Sequence, residues 1–191
     1  IGTTTPNYEF QVHDPSGSAT IQITNGTVGS TSIDGARITS STTGILYIEN
    51  LENAATVFTT NNTERARIDS SGRLLVGTST SRAIGDLSSC RLQVEGTDGT
   101  GSAASLINNQ NSVGRASIRF GKSRGTALNS NTVVAANDTL GEITWCGADG
   151  TDLNSIGGKI TCEVDGTPGS NDMPGRIVFS TTADGASSPT E

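Results

Sequence analysis

The sequence is poor in large apolar side chains. Of its 191 residues only 32% are hydrophobic and 4% aromatic, whereas a typical globular domain is about 45–50% apolar. The whole chain holds four Phe, two Tyr and one Trp, and these are residues that usually dominate a core. A large core within a single copy of the chain is therefore not expected.

Basic residues are scarce too. The formal net charge is −7, and only Lys122 and Lys159 among the twelve basic residues are lysines. Because sequence-independent binding of nucleic acid depends on neutralising phosphates, we expect no nucleic-acid partner. No apolar run reaches 18 residues, and the opening residues lack the basic and apolar regions of a signal peptide, so we expect no membrane insertion.

Histidine and cysteine are nearly missing. The single histidine, His13, argues against histidine-based metal sites and against triads that need an imidazole base. The three cysteines, Cys90, Cys146 and Cys162, contain no CxxC pair and are too few for a disulfide framework, so we expect reduced, half-buried thiols. A Cys146–Cys162 bridge is the alternative. No cofactor and no metal site are predicted.

Turn and strand residues fill the chain instead. Gly, Ser, Thr, Asn and Asp together make up more than half of it. Short β-branched or alternating runs predict eleven strands: Tyr8–Val12, Thr20–Thr24, Gly44–Ile48, Thr56–Thr60, Arg65–Asp69, Leu74–Val76, Arg91–Val94, Ala116–Gly121, Thr139–Cys146, Lys159–Val164 and Arg176–Thr182. Asx-Gly pairs between them predict tight turns, at Asn25, Asp34, Asp98, Asp149, Asp165 and Asp184. The fold class is therefore all-β.

Each predicted strand carries little apolar area. In Thr20–Thr24 and Arg65–Asp69 one face has one or two aliphatic residues and the other face is polar. One copy cannot bury enough surface this way, so we expect the core to be completed by other copies of the chain. Three parallel copies around one axis would let equivalent apolar stripes meet and would remove exposed strand edges.

The sequence also repeats itself. Ile1–Thr5 returns as Val76–Thr80, and Val57–Thr60 returns as Val178–Thr181. We therefore divide the chain into a first module, residues 1–75, and a second module with longer inserts, residues 76–191. Because the first module continues into a segment that the second lacks, we expect the natural polypeptide to extend beyond both ends.

These segments carry a family resemblance. The runs TERARIDSSGRLLVGTSTSR from Thr63, RLQVEGTDG from Arg91 and the stretch from Thr139 to Glu191 resemble the tail fibres and tailspikes of tailed bacteriophages, especially marine cyanophage-like phages. The resemblance implies an elongated, parallel homotrimeric β-shaft on the virion, assembled in the host cytoplasm and contacting other tail or capsid proteins. Such fibres often carry a C-terminal peptidase S74 chaperone, and nothing in this sequence resembles it.

Several residues are weighed for chemistry. A polysaccharide depolymerase would need a pair of carboxylates, and the candidates are Glu142 with Asp149, or Glu163 with Asp165. Their positions in turns and strands explain these residues more simply. Trp145 is interpreted as core. Asp149–Asn154 invites a calcium interpretation, but its spacing fails the EF-hand pattern and favours a turn. No catalytic residue is predicted.

Two other groups have surface interpretations. Arg65 and Arg67 either lie on a solvated face or set the register between subunits. The loop from Asp165 to Pro174 is a candidate glycan contact, through Asp165, Asn171 and Asp172.

The function predicted from the sequence is therefore a non-enzymatic, trimeric fibre subunit that supports attachment to the host cell. A depolymerase segment and a carbohydrate-binding module that contacts a bacterial surface glycan are the alternatives. Triple β-helix, β-prism and small β-sandwich architectures all fit the pattern of short strands and tight turns.

Overall fold

The computed structural model describes Thr4, Tyr8 and residues 10–191, and this part of the chain contains strands and no helix. The all-β prediction is confirmed. Ten strands form three sheets: β1 Ala19–Ile23, β2 Ala36–Ser40, β3 Leu46–Asn50, β4 Thr56–Thr60, β5 Thr63–Ile68, β6 Leu74–Val76, β7 Leu92–Val94, β8 Thr139–Gly147, β9 Ser155–Val164 and β10 Gly175–Thr181.

The first sheet is an antiparallel meander in the order β1-β2-β3. Its register places Ile21, Ile38 and Ile48 in one cross-strand row. Because paired residues of neighbouring strands point to the same face, the three isoleucines lie on one side. The other side is polar, where Arg37 forms an ion pair with Glu49 at 3.1 Å.

The second sheet has the order β4-β5-β6-β7, with β7 parallel to β6 and the other pairs antiparallel. A two-residue turn connects β4 to β5, with Asn61 at φ 50° and Asn62 at φ 55°. Positive φ at both central residues is the hairpin turn that matches the twist of the strands, and Asn tolerates it better than most residues.

The third sheet is a second antiparallel meander, in the order β10-β9-β8. Its register aligns Phe179, Ile160 and Ile143 in one row, and Thr181, Gly158 and Trp145 in the next. The neighbouring residues Val178, Thr161 and Ser180 face the opposite side, where they are buried.

The apolar core of the described residues is small. Only four hydrophobic residues are buried: Leu75, Val134, Val164 and Val178. Thirty large hydrophobic residues are exposed, which exceeds the scattered exposure usual on a soluble monomer. The chain therefore folds with most of its large apolar side chains uncovered.

By its contacts the chain divides into two compact units. One comprises the residues up to Ser81 together with Arg91–Ser102 and contains the first two sheets; the other comprises Arg82–Cys90 and Ala103–Glu191 and contains the third. The modules 1–75 and 76–191 were defined by repeated sequence rather than by contacts, so that division stays a prediction.

Nine of the predicted strands are present, two of them with the predicted ends and seven with shifted ends, and two are wrong. Ala116–Gly121 alternates in sequence but pairs with no strand, and Phe120 instead packs against Gly141. In Tyr8–Val12, Glu9 lies outside the described residues and the other four are not in a strand. The central strand β2 was missed, because Ala36–Ser40 contains only one large apolar residue.

Candidate functional site

The most prominent surface feature is an uncovered apolar face on each sheet. On the first sheet Ile21, Ile38 and Ile48 are 38%, 46% and 66% exposed. A depression of about 710 Å³ lies over this face, lined by Ile23, Ile38 and Ile48 among others. An apolar recess of this size leaves room for side chains from another molecule.

The second sheet has the same asymmetry. Its apolar residues align on one face because the register pairs Ile68 with Leu74 and Leu74 with Leu92. These three side chains are 46%, 39% and 59% exposed. The opposite face carries the fully buried Leu75 between Arg67 and Gln93. The covered side of this sheet is thus mixed, and the side that carries Ile68, Leu74 and Leu92, with Thr56 beside them, is bare.

The third sheet has the bare face with the largest side chains. Ile143, Trp145, Ile177 and Phe179 lie on it and are 50–66% exposed. The interpretation of Trp145 as core is therefore wrong for a single copy of the chain, because the indole is on the side of the sheet that its own chain leaves uncovered. Phe120 covers only one end, at Gly141.

The total surface area agrees with these faces. The chain exposes 14337 Å², about 1.7 times the ~8500 Å² expected for a folded monomer of its mass. It buries about half of the surface of an extended chain, where a domain of about 150 residues buries roughly 70%. The deficit predicted from composition is thus present in the structure.

Arg67 has an intrachain partner. Its guanidinium donates two hydrogen bonds of 2.6 Å to Glu64. Residues three apart on a strand normally face opposite sides of the sheet. Here a β-bulge inserts Arg65 as an extra residue in β5, so Glu64 and Arg67 lie on the same face. The Glu64 carboxylate raises the pKa of Arg67, and the Arg67 guanidinium lowers the pKa of Glu64. A role of Arg67 in register between subunits stays a prediction.

Of the four carboxylates considered for catalysis, Glu163 and Asp165 lie together, whereas Glu142 is on β8 and Asp149 is in the loop that follows β8. Arg176 donates to Glu163 at 2.8 Å and to Asp165 at 3.1 Å, so one guanidinium holds both. Asp149 accepts hydrogen bonds from the amides of Thr151 and Asp152. The Thr151 amide is the main cause of its lowered pKa. A carboxylate stabilised as an anion is a poor general acid.

The Asp149–Asn154 segment forms a tight loop. The Asp149 carboxylate is occupied by backbone amides and by the Ser155 hydroxyl at 3.0 Å. Asp152 likewise accepts the amide of Asn154 at 2.8 Å. Across the described residues no group of three or more His, Cys, Asp or Glu side chains converges on one point. The observed contacts are those of a turn, as the spacing favoured.

The predicted glycan-contact loop is a short hairpin extension between β9 and β10. Gly169 and Asp172 pair through two backbone hydrogen bonds, with Asn171 at φ 56° in the tip. Asn171 and Asp172 are exposed at this tip, whereas Asp165 lies at the base beside Arg176. The structure thus brings two of the three residues together.

A depression of about 700 Å³ adjoins this loop. The loop contributes Gly169, Ser170 and Met173 to its lining, and the rest comes from the segment 121–134, including Lys122, Ser123, Ser130, Asn131 and Thr132. Hydroxyl, amide and ammonium groups of this kind can hydrogen-bond to a polar ligand. This depression could not be predicted from the sequence, because its two walls are distant along the chain.

The segment 121–134 is tied to the third sheet by an ion pair that sequence reasoning missed. Arg124 donates two hydrogen bonds to Asp138, at 2.7 and 2.8 Å. They are the main cause of the strongly lowered pKa of Asp138, and the Ala135 amide adds to it. The backbone of Asp138 then accepts the amide of Val164 in β9. An Arg and an Asp fourteen residues apart carry no pairing signal in the sequence.

The three cysteines are free and half-buried, as predicted. Burial raises the pKa of the Cys146 thiol, which lies against Gly85. In the described residues no helix is long and apolar enough to cross a membrane. No protein-family model matches the sequence, and no curated protein matches it at a significant level.

Proposed function

We propose that the chain is a structural, non-enzymatic subunit of a bacteriophage fibre, and that it acts as a parallel homotrimer which supports attachment of the virion to its host. The observation that carries this proposal is the bare apolar face on each of the three sheets. Partners of the same fibre would be other tail or capsid proteins, and the place of action would be the virion, after assembly in the host cytoplasm.

Copies of the same chain are the simplest cover for these faces. A folded chain that leaves thirty large hydrophobic residues exposed would aggregate unless they were buried in a defined assembly. In a closed cyclic assembly, the same contact between neighbouring copies repeats around the axis, so the burial repeats without a second kind of protein. Three copies also match the trimeric architecture of the fibres that the sequence resembles.

The polar surface fits the same role. The net charge of −7 would keep neighbouring fibres apart by repulsion. A rigid shaft that holds several identical weak sites would act through avidity, which can exceed the affinity of one site by about 10²–10⁴. Attachment would then depend on geometry and valency rather than on chemistry at a single site.

The mass of the folded chain in solution tests this proposal. Light scattering should give three times 19.5 kDa, or 58.5 kDa, for a trimer. A well-folded monomer of 19.5 kDa would overturn the proposal. Circular dichroism on the same sample should show strand structure in either case, so that an unfolded chain is not mistaken for a monomer.

Carbohydrate binding is a second candidate function, favoured by the depression beside Asn171 and Asp172. Binding of the chain to a glycan array should then be lost in Lys122→Ala, whose side chain lines the depression, and kept in Lys159→Ala, which is outside it. Arrays on which both variants bind equally would exclude this depression. We propose no hydrolytic role, since Glu163 and Asp165 are both paired with Arg176.

A further inference from the structure

We infer that the apolar face of β8, β9 and β10 is the centre of the surface through which copies of this chain associate, with Trp145 and Phe179 as its main contacts. This inference rests on the proposed homotrimer and goes further by choosing one of the three bare faces. It commits to a second copy of the chain as the occupant.

The size of the exposed side chains distinguishes this face. Trp145 and Phe179 are 55% and 66% exposed, with Ile143 at 50% and Ile177 at 56% beside them. Because an aromatic side chain buries about 150–250 Å² when fully covered, covering these four would bury on the order of 400 Å² per copy. Aromatic residues at the centre of an interface also supply a large part of its binding energy.

This face supplies a substantial part of the area that a self-association needs. A stable interface buries about 800 Å² on each partner, so this face supplies about half. The chain as a whole exposes several thousand Å² more than a compact monomer of its mass, which is enough for each copy to contact two neighbours. The bare faces of the other two sheets would supply the remainder.

The shape of the face suits an equivalent face. Gly158 lies between Trp145 and Thr181 in one cross-strand row. No side chain lies within 4 Å of the point where its Cβ would be. The sheet therefore carries a shallow recess beside the indole, and Phe179 projects in the next row. In a three-fold assembly, whose contacts run head to tail, a projection of one copy can enter the recess of the next copy.

Polar groups are kept away from this face. Arg176 and Glu163 pair with each other on the opposite side of the sheet, as the register of β9 and β10 requires. Glu142 also points away from Ile143, its neighbour on β8. Association through the apolar face would therefore bury no unpaired charge from these strands, which is a condition for a stable interface.

The single tryptophan makes the inference testable in the wild-type chain. In a dilution series, sedimentation velocity reports the mass while acrylamide quenching reports the exposure of Trp145. We expect quenching to be several-fold weaker in the assembled sample and to rise as the mass falls. An assembly of three chains in which Trp145 is quenched as strongly as in the unfolded chain would overturn this inference and leave the proposed trimer standing.

A matched pair of variants gives the second test. Ile143→Gln places an amide on the apolar face, whereas Glu142→Gln makes a similar change on the other face of the same strand. Because covering an isoleucine contributes substantially to association, Ile143→Gln should raise the concentration at which the assembly dissociates at least tenfold, and Glu142→Gln should leave it unchanged. Equal behaviour of the two variants would overturn the inference, and a monomeric wild type would overturn the trimer as well.

Discussion

At the scale of single residues, the acidic composition of the chain has a structural explanation. Asp14, Asp98 and Asp149 each accept hydrogen bonds from the backbone amides two and three residues later. These amides hold the pKa of each carboxyl below its ordinary value of 3.8. Asn25 makes the same pair of contacts with its amide oxygen. Aspartate is thus used here to build turns.

Two glycines in the loops of the first sheet allow the effect of backbone strain to be distinguished from that of a steric clash. Gly35 and Gly44 have φ values of 75° and 81°. A Cβ at Gly35 would fall on the carbonyl oxygen of Ile23, whereas one at Gly44 would meet nothing within 4 Å. Gly44→Ala should therefore lower the free energy of unfolding only through strain of the left-handed backbone, by roughly 1–2 kcal/mol. Gly35→Ala should cost roughly 2–5 kcal/mol, because overpacking is added.

The free energies of unfolding of these two variants, measured by denaturant titration at one protein concentration, check this prediction. Equal losses would show that the backbone at Gly35 moves away from the added methyl group.

Asp138 should make the stability depend on pH. Arg124 and the Ala135 amide favour its charged form in the folded state, so its folded-state pKa lies below the ordinary value of 3.8. A lowered pKa contributes stability that is present above the unfolded-state pKa and is lost as the pH falls through the folded-state pKa. Asp138→Asn should therefore be less stable than wild type at pH 7, and the difference should shrink as the pH falls below about 4.

Denaturation midpoints at several pH values measure that difference. Asp184→Asn is the control, since Asp184 is exposed and forms no ion pair with the residues that the structure describes. A difference for Asp138→Asn that stays constant down to pH 2 would show that the carboxylate charge does not matter there.

At the scale of elements, one turn is used twice. In Ser41–Ile45 and in Asp69–Arg73 the first amide donates to the fifth carbonyl, and the fourth residue is a glycine with positive φ. The side-chain oxygen of the first residue accepts the amide of the fifth in both, at 3.0 Å. The sequence Ala-Arg-Ile precedes both turns: Ala66–Ile68 directly precedes Asp69, and Ala36–Ile38 precedes Ser41 with two residues between them.

This equivalence predicts how Asp69 can be replaced. Asp69→Ala removes the hydrogen bonds to the amides of Ser71 and Arg73 and the ion pair with Arg73. Asp69→Ser should keep the bond to the Arg73 amide, because Ser41 makes that bond in the other turn. We expect thermal stability to fall in the order wild type, Asp69→Ser, Asp69→Ala. Equal melting temperatures for the two variants would contradict the equivalence of the turns.

Prediction from sequence succeeded where local patterns decide the structure. The strands Thr56–Thr60 and Leu74–Val76 have the predicted bounds, and Asp149 begins a predicted tight turn. Prediction failed where the structure of a segment depends on whether a neighbouring strand pairs with it. Ala116–Gly121 alternates like a strand but finds no hydrogen-bonded neighbour, and the weakly apolar β2 is a strand because it pairs on both sides.

The candidate surfaces show the same limit. The shortage of apolar residues predicted that one copy would be incompletely buried, and the bare faces agree. The sequence did not say which residues share a face, because a bulge such as that at Arg65 changes the alternation. The prediction for Trp145 failed for a different reason. A large apolar residue on an alternating strand is buried only if something covers its face of the sheet.

At the scale of the whole molecule, the three sheets have the same energetic deficit, because each leaves an apolar face unburied. A chain that buries only about half of its extended surface loses backbone entropy like any folded protein and gains less from burial. Its own turns and ion pairs are largely solvent-exposed, and such pairs contribute little each. Most of the missing stabilisation must then come from contacts between molecules.

This reasoning predicts that stability depends on chain concentration. If three chains fold and associate together, each tenfold rise in concentration favours the assembled state by about 2.7 kcal/mol per trimer. The thermal midpoint should therefore rise steadily over a hundredfold range of concentration, and Ile143→Gln should lower it at every concentration. A midpoint independent of concentration would mean that each chain is stable alone, and the bare faces would then have to be covered by a different protein or remain exposed.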